Sequence, residues 1–143
     1  MIKNERQYRI TKGWIQKFTK TLENLEASGN KSTALSLLQQ AERGALIGQR
    51  ETLQREVREY EALRAGGQRT FQAETFEELP RVLIQARIAS GLSQRELALR
   101  LGLKEQQVQR YEATEYASAS LSRVSAVITA LNIRVREEVF LSS

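Results

Sequence analysis

The chain has 143 residues, 41% hydrophobic and 27% charged, which is the balance of a folded globular protein and excludes a disordered one. Cysteine, histidine and aspartate are all absent, so disulfides, thiolate nucleophiles, zinc-ligand sets and the commonest general base are excluded together. A formal charge of +5 with a pI near 9.8 permits a polyanionic partner without demonstrating one.

The remaining carboxylates are glutamates scattered among Lys and Arg at helix-surface spacing, and no glycine-rich phosphate loop is present. No enzymatic activity, metal or cofactor is expected. The apolar runs fall far short of the ~20 residues that span a bilayer. The opening MIKNERQYR lacks the apolar core of a secretory signal, so a cytoplasmic location and no membrane partner are expected. The charge is uneven: residues 1–67 hold 12 Lys and Arg against 8 Glu, residues 68–143 only 10 against 9.

In chain order, Ile10, Trp14, Phe18, Leu22 and Leu25 form the stripe of an amphipathic helix, with Thr11 as a plausible N-cap and Ser28-Gly29-Asn30 as its stop. Trp14 reads as a core residue. A second helix is expected from Thr33 to Arg64, with Leu35, Leu38, Leu46, Leu53, Val57, Tyr60 and Leu63 on one broad side. Leu46, Leu53 and Tyr60 stand seven apart, as in a coiled coil, while Gly44 and Gly48 weaken the helix locally. The short connection makes the pair an antiparallel hairpin. The second helix, roughly 50 Å long at ~1.5 Å per residue, outruns the first and needs a further partner. The downstream domain, a second copy and a different protein are the alternatives.

Gly66-Gly67 divides the chain into a hairpin, 1–67, and a second domain, 68–143. There, Thr75-Phe-Glu-Glu78 has the capping-box pattern, and a helix is expected from Pro80, carrying Val82, Leu83, Ala86 and Ile88 to Ser90-Gly91. Ser93, with Glu96 three residues on, caps a helix over Gln94–Leu101. Gly102 breaks it, and a third short helix runs over Lys104–Tyr111. Leu97, Ala98, Leu101 and Val108 are spaced to pack these two helices together. That leaves Glu105, Gln106, Gln107, Gln109 and Arg110 outward, and Gln and Arg are forked groups that pair bidentately with adenine and guanine edges in the major groove. A merely solvated polar helix is the alternative.

The stretch RIASGLSQRELALRLGLKEQQVQRYEA, Arg87 to Ala113, resembles the Xre family of DNA-binding domains, the group of phage Cro and repressor proteins. The landmarks are Leu92, Ser93, Gln94, Glu96, Leu97, Ala98, Leu101, Gly102, Val108 and Glu112, and the resemblance covers about Pro80 to Leu131. Lys104 departs from it, standing where the family often has a Ser or Thr N-cap. The resemblance implies that Gln94 hydrogen-bonds a phosphate, with Arg95, Lys104 and Arg123 as further phosphate candidates. It implies that the loop bearing Tyr116, Ser118 and Ser120 touches the sugar-phosphate backbone, and that Arg87 and Glu112 form a structural ion pair.

A fourth helix, Leu121 to Leu131, supplies Leu121, Val124, Val127, Ile128 and Leu131 to the core. Ile133, Val135, Val139 and Leu141 then alternate with Arg134, Arg136 and Glu138, a strand signature that needs a partner, either its symmetry mate or the N-terminal RQYRI; a frayed tail is the alternative. The expected fold is all-α: an antiparallel helical hairpin, then a repressor-like helix-turn-helix domain of four to five helices with a short C-terminal β-strand as an open option. The expected function is a sequence-specific transcriptional regulator, a homodimeric repressor on double-stranded DNA reading the major groove with helix 104–112. The layout also resembles HigA-like antitoxins, which bind a toxin protein and repress their own operon. A helical adaptor that no longer binds DNA is the competing class.

Overall fold

The computed structural model describes residues 1–27 and 33–142, with side chains from Ser36 onward in the second stretch. Among the described residues the regular secondary structure is entirely helical: α1 (Glu5–Ala27), α2 (Thr33–Arg64), a 3-10 turn (Phe76–Glu78), α3 (Leu79–Ala89), α4 (Gln94–Leu101), α5 (Glu105–Ala113) and α6 (Leu121–Ala130). They fall into two compact units, Met1–Ala62 and Leu63–Ser143. No described helix is long and apolar enough to cross a membrane.

In the first unit α1 begins earlier than Thr11, which lies inside the helix. Asn4 is the cap. Its Oδ1 accepts the Gln7 N–H at 2.8 Å, while the Gln7 side-chain oxygen accepts the Lys3 N–H at 2.8 Å, a shifted version of the capping box. The expected stop at Ser28-Gly29-Asn30 lies outside the described residues, as does the side chain of Leu35.

The packing stripe of α1 also differs from the expected one. Ile10 and Trp14 are 50% and 48% exposed, so Trp14 is not a core residue in this chain. A step of four residues overshoots a 3.6-residue turn by about 40°, so the run Ile10, Trp14, Phe18, Leu22 winds around the helix. The inner face instead follows Tyr8, Thr11, Ile15, Phe18, Leu22 and Leu25, alternating steps of three and four. On α2 the matching path is Leu46, Arg50, Leu53, Val57 and Tyr60, whereas Leu38, at 69% exposure, is off it.

Cross-helix contacts fix the hairpin as antiparallel. The Tyr8 hydroxyl donates to Glu61 at 2.5 Å, Arg50 donates to the Thr19 hydroxyl at 3.4 Å, and Arg43 pairs with Glu26 at 3.2 Å. Partner numbers fall along α2 as they rise along α1. The Tyr8 and Tyr60 rings meet at 5.3 Å.

In the second unit the core is Leu79, Leu83, Ile84, Ala86, Ile88, Leu97, Ala98, Val108, Val127 and Leu131. Thr75 makes no side-chain cap; Glu78 instead accepts the N–H of Glu74 at 2.7 Å, one residue earlier than the box requires. The helix then opens at Leu79, with Pro80 in its first turn, where a missing N–H costs nothing. On α6, Leu121 is 71% exposed and does not join the core that Val127 enters.

Residues 133–142 form no strand. An isolated strand leaves its backbone groups unpaired, and no other described segment of the unit offers a ladder to it. The segment RQYRI is itself helical within α1 and is not a strand.

Candidate nucleic-acid interface

Two helix ends position α5. Ser93 and Glu96 form a complete capping box at the start of α4: the Ser93 hydroxyl accepts the Glu96 N–H at 3.0 Å and the Glu96 carboxylate accepts the Ser93 N–H at 2.9 Å. At the other end Gly102 takes a left-handed φ of 68°, which a glycine adopts without steric cost. The Leu103 N–H then returns to the Ala98 carbonyl at 2.9 Å, and the chain turns into α5.

Lys104 stands at the N-cap of α5, and an ammonium has nothing to accept with. Gln107 supplies the other half of the arrangement, its side-chain oxygen taking the Lys104 N–H at 2.9 Å. One of the outward glutamines is therefore occupied in closing its own helix.

The rear of α5 is fixed by a buried polar cluster. Glu112 is fully buried and receives Arg87 Nε at 2.6 Å and Arg87 Nη2 at 2.8 Å; Arg87 is 3% exposed. The third guanidinium nitrogen donates to the Leu92 carbonyl at 2.7 Å. Gln94 completes the set with its Nε2 at 2.9 Å from Glu112 Oε1. One carboxylate thus ties α3, α4 and α5 together, and bidentate charged bonds of this kind hold orientation as well as position. Gln94 is only 4% exposed, so its side chain sits within this cluster and not on the outer surface.

Beyond α5 the chain reverses through Glu115 and Tyr116, with φ of 50° and 59°, left-handed values that non-glycine residues rarely adopt. The turn places the Tyr116 ring, 5% exposed, in a near-parallel stack on Tyr111 at 5.7 Å. Burial, and then the Glu112 carboxylate, hold the Tyr116 hydroxyl well above the ordinary phenol range. Arg123 lies over the other ring, its guanidinium carbon 5.9 Å from the Tyr111 centroid. Neither the stack nor its position under the turn has a sequence signal, because two tyrosines five apart fit no helical or strand period.

The outer surface collects the rest. Glu105, Gln106, Gln107, Gln109 and Arg110 are all exposed on α5. Gln109 reaches Glu105 at 3.5 Å, whereas the side chains of Gln106 and Arg110, four residues apart on one face, have no hydrogen-bond partner among the described residues. Arg95, Lys104, Ser118 and Ser120 are exposed around them, and Arg123 is half-buried. Ser120 also caps α6, accepting the Arg123 N–H at 3.1 Å, which leaves its hydroxyl proton available to donate.

A family model described as helix-turn-helix matches residues 83–137, the stretch from α3 through α6. No curated protein and no solved structure matches the chain.

Proposed function

We propose that the chain, whose residues 83–137 match a helix-turn-helix family model, is a sequence-specific transcriptional regulator of the Xre, Cro-like kind that represses by occupying DNA as a homodimer. In this reading α5 enters the major groove. Gln106 pairs with an adenine and Arg110 with a guanine, and Gln109 and Glu105 supply shorter-range contacts. Arg95, Lys104, Ser118, Ser120 and Arg123 grip phosphates and set the register without carrying sequence information. Gln94 and Gln107 act by holding α5: the first through Glu112, the second through the Lys104 N–H.

The observation that carries the reading is the contrast between the two sides of one helix. Glu112 is locked by three nitrogens of two side chains behind α5, while Gln106 and Arg110 extend unpaired in front of it. A base-reading pair needs both a fixed carrier and free forks. Selection from a randomised duplex library tests it. The expected product is a two-fold site whose halves lie one DNA turn, about 10 base pairs, apart. Enrichment of no sequence would refute it.

A second reading rests on the hairpin. The exposed Ile10 and Trp14 on α1, and Leu37 and Leu38 on α2, leave apolar surface uncovered, which favours a protein partner such as the toxin of a HigA-like antitoxin. Co-purification of the chain with the product of a neighbouring gene encoding a small basic ribonuclease tests it; loss of the complex on Trp14→Ala is expected.

A further inference from the structure

Residues 133–142 follow α6 without regular structure, yet their exposure alternates: Ile133 and Val135 are half-buried, Arg134 and Arg136 exposed. That two-residue period belongs to an extended chain. Farther along, Val139, Phe140 and Leu141 are 90%, 82% and 96% exposed. Among the described residues, no backbone group of 134–142 is hydrogen-bonded to another backbone group. Beside the segment lies a groove of about 530 Å³, floored by Leu79, Val82 and Ala86 of α3 and bordered by Ile133 and Val135.

We propose that this segment and its groove are the contact between two copies of the chain, joined as an antiparallel two-stranded ladder about a two-fold axis at Glu137. The order of charges selects the direction. Arg134 and Arg136 precede Glu137 and Glu138, so an antiparallel pair sets cation against carboxylate, whereas an in-register parallel pair would set like on like. Symmetry restricts the register, since a two-fold axis normal to the ladder keeps odd residues on one face in both copies. Centred on Glu137, Ile133 meets Leu141 of the second copy, Val135 meets Val139, Arg136 meets Glu138 in two symmetric pairs, and the two Glu137 side chains face each other at the axis. Shifting the centre to Arg136 would likewise oppose two like charges at the axis, and would in addition set Val135 against Glu137 and Ile133 against Val139, leaving Leu141 without an apolar partner in the segment. In the favoured register the odd face, apolar except for Glu137, is the one bordering the α3 groove, so Val139 and Leu141 of the second copy are covered beside it. A two-stranded ladder alone is marginal in water, and packing on α3 supplies what it lacks.

This deepens the dimeric reading above by naming the contact, and it is tested without DNA. Sedimentation velocity on the full chain compares the parent with Arg136→Glu, Glu138→Arg and the two together. Each single change replaces two attractive cross-strand pairs with repulsive ones, and about a tenfold weaker dimer is expected; the double change restores the pairs and the affinity. Leu141→Glu, at a side chain already exposed in the single copy, is expected to abolish the dimer with an unchanged circular dichroism spectrum. A double variant as weak as the singles overturns the proposal, as does a dimer that none of these changes weakens or a parent that stays monomeric. Loss of sequence preference on Gln106→Ala with the dimer intact would belong to the DNA-reading face and not to this one.

Discussion

Replacing Arg87 by Ala removes a guanidinium that donates twice to a carboxylate with no solvent exposure and once to the Leu92 carbonyl. The Gln94 amide at 2.9 Å is neutral and would not replace the lost cation beside Glu112. Breaking a buried pair from one side leaves an uncompensated charge and costs about 3–5 kcal/mol. Domains of this size have only ~5–15 kcal/mol in total. The single tryptophan lies in the hairpin, so its fluorescence reports on the other unit. Native-state hydrogen exchange at the Leu97, Val108 and Val127 amides is the appropriate measurement, because these residues lie in the core of the second unit and exchange by its largest opening. Their exchange rates should rise by roughly two to three and a half powers of ten. Arg87→Met combined with Glu112→Leu, which removes both charges, should recover much of the loss and leave chiefly the Gln94 amide unpaired. A single variant whose core amides exchange less than about threefold faster than the parent's, or a double variant worse than the single, would refute the assignment of this pair as the clamp on α5.

Three further outcomes are expected. Lys104→Ser should stabilise the second unit by ~1 kcal/mol, because serine supplies the acceptor at the N-cap of α5 that lysine lacks, and lower DNA affinity by removing the phosphate contact proposed for Lys104; denaturant midpoint and salt-dependent binding check the two halves. Tyr116→Phe tests the raised hydroxyl. Its unfolded value is near 10.0 and its folded value is higher, so the stability it contributes is intact below that pH and lost as pH rises above it. Urea melts should coincide in slope with pH below about 10 and fall less steeply for the phenylalanine variant above it. Gly48→Ala adds a Cβ that meets no atom within 4 Å in the middle of α2, and should raise hairpin stability by about 1 kcal/mol, read from Trp14 fluorescence on urea unfolding.

Much of the second unit was legible because its boundaries are written in local chemistry. Ser93 with Glu96, and the glycines at 91 and 102 with φ of 73° and 68°, stop and start helices by short-range bonds that need no tertiary context. The start of α1 carried the same kind of signal in Asn4 and Gln7, overlooked in favour of Thr11. The phase of α1 was harder, since large apolar residues at steps of four mimic a stripe while the smaller Thr11 and the less conspicuous Ile15 define the inner face. Which outward glutamines are free was not legible either. Gln107 differs from Gln106 only in reaching back to the Lys104 N–H. The family resemblance puts Tyr116 against the sugar-phosphate backbone, yet two successive left-handed residues turn its ring inward onto Tyr111. The segment 133–142 shows why a period of two is insufficient: alternation describes how a chain would pair, and the partner must come from elsewhere.

The central claim is that α5 reads base edges through Gln106 and Arg110. Fluorescence anisotropy at one fixed, near-physiological salt concentration tests it most directly, using the selected duplex and a scrambled duplex of equal composition, with the parent chain and Gln106→Ala/Arg110→Ala. Each bidentate pair carries about 1–3 kcal/mol of discrimination, so the parent should prefer the selected duplex and the double variant should lose that preference while keeping weak binding to both. Preference undiminished in the double variant would contradict the account.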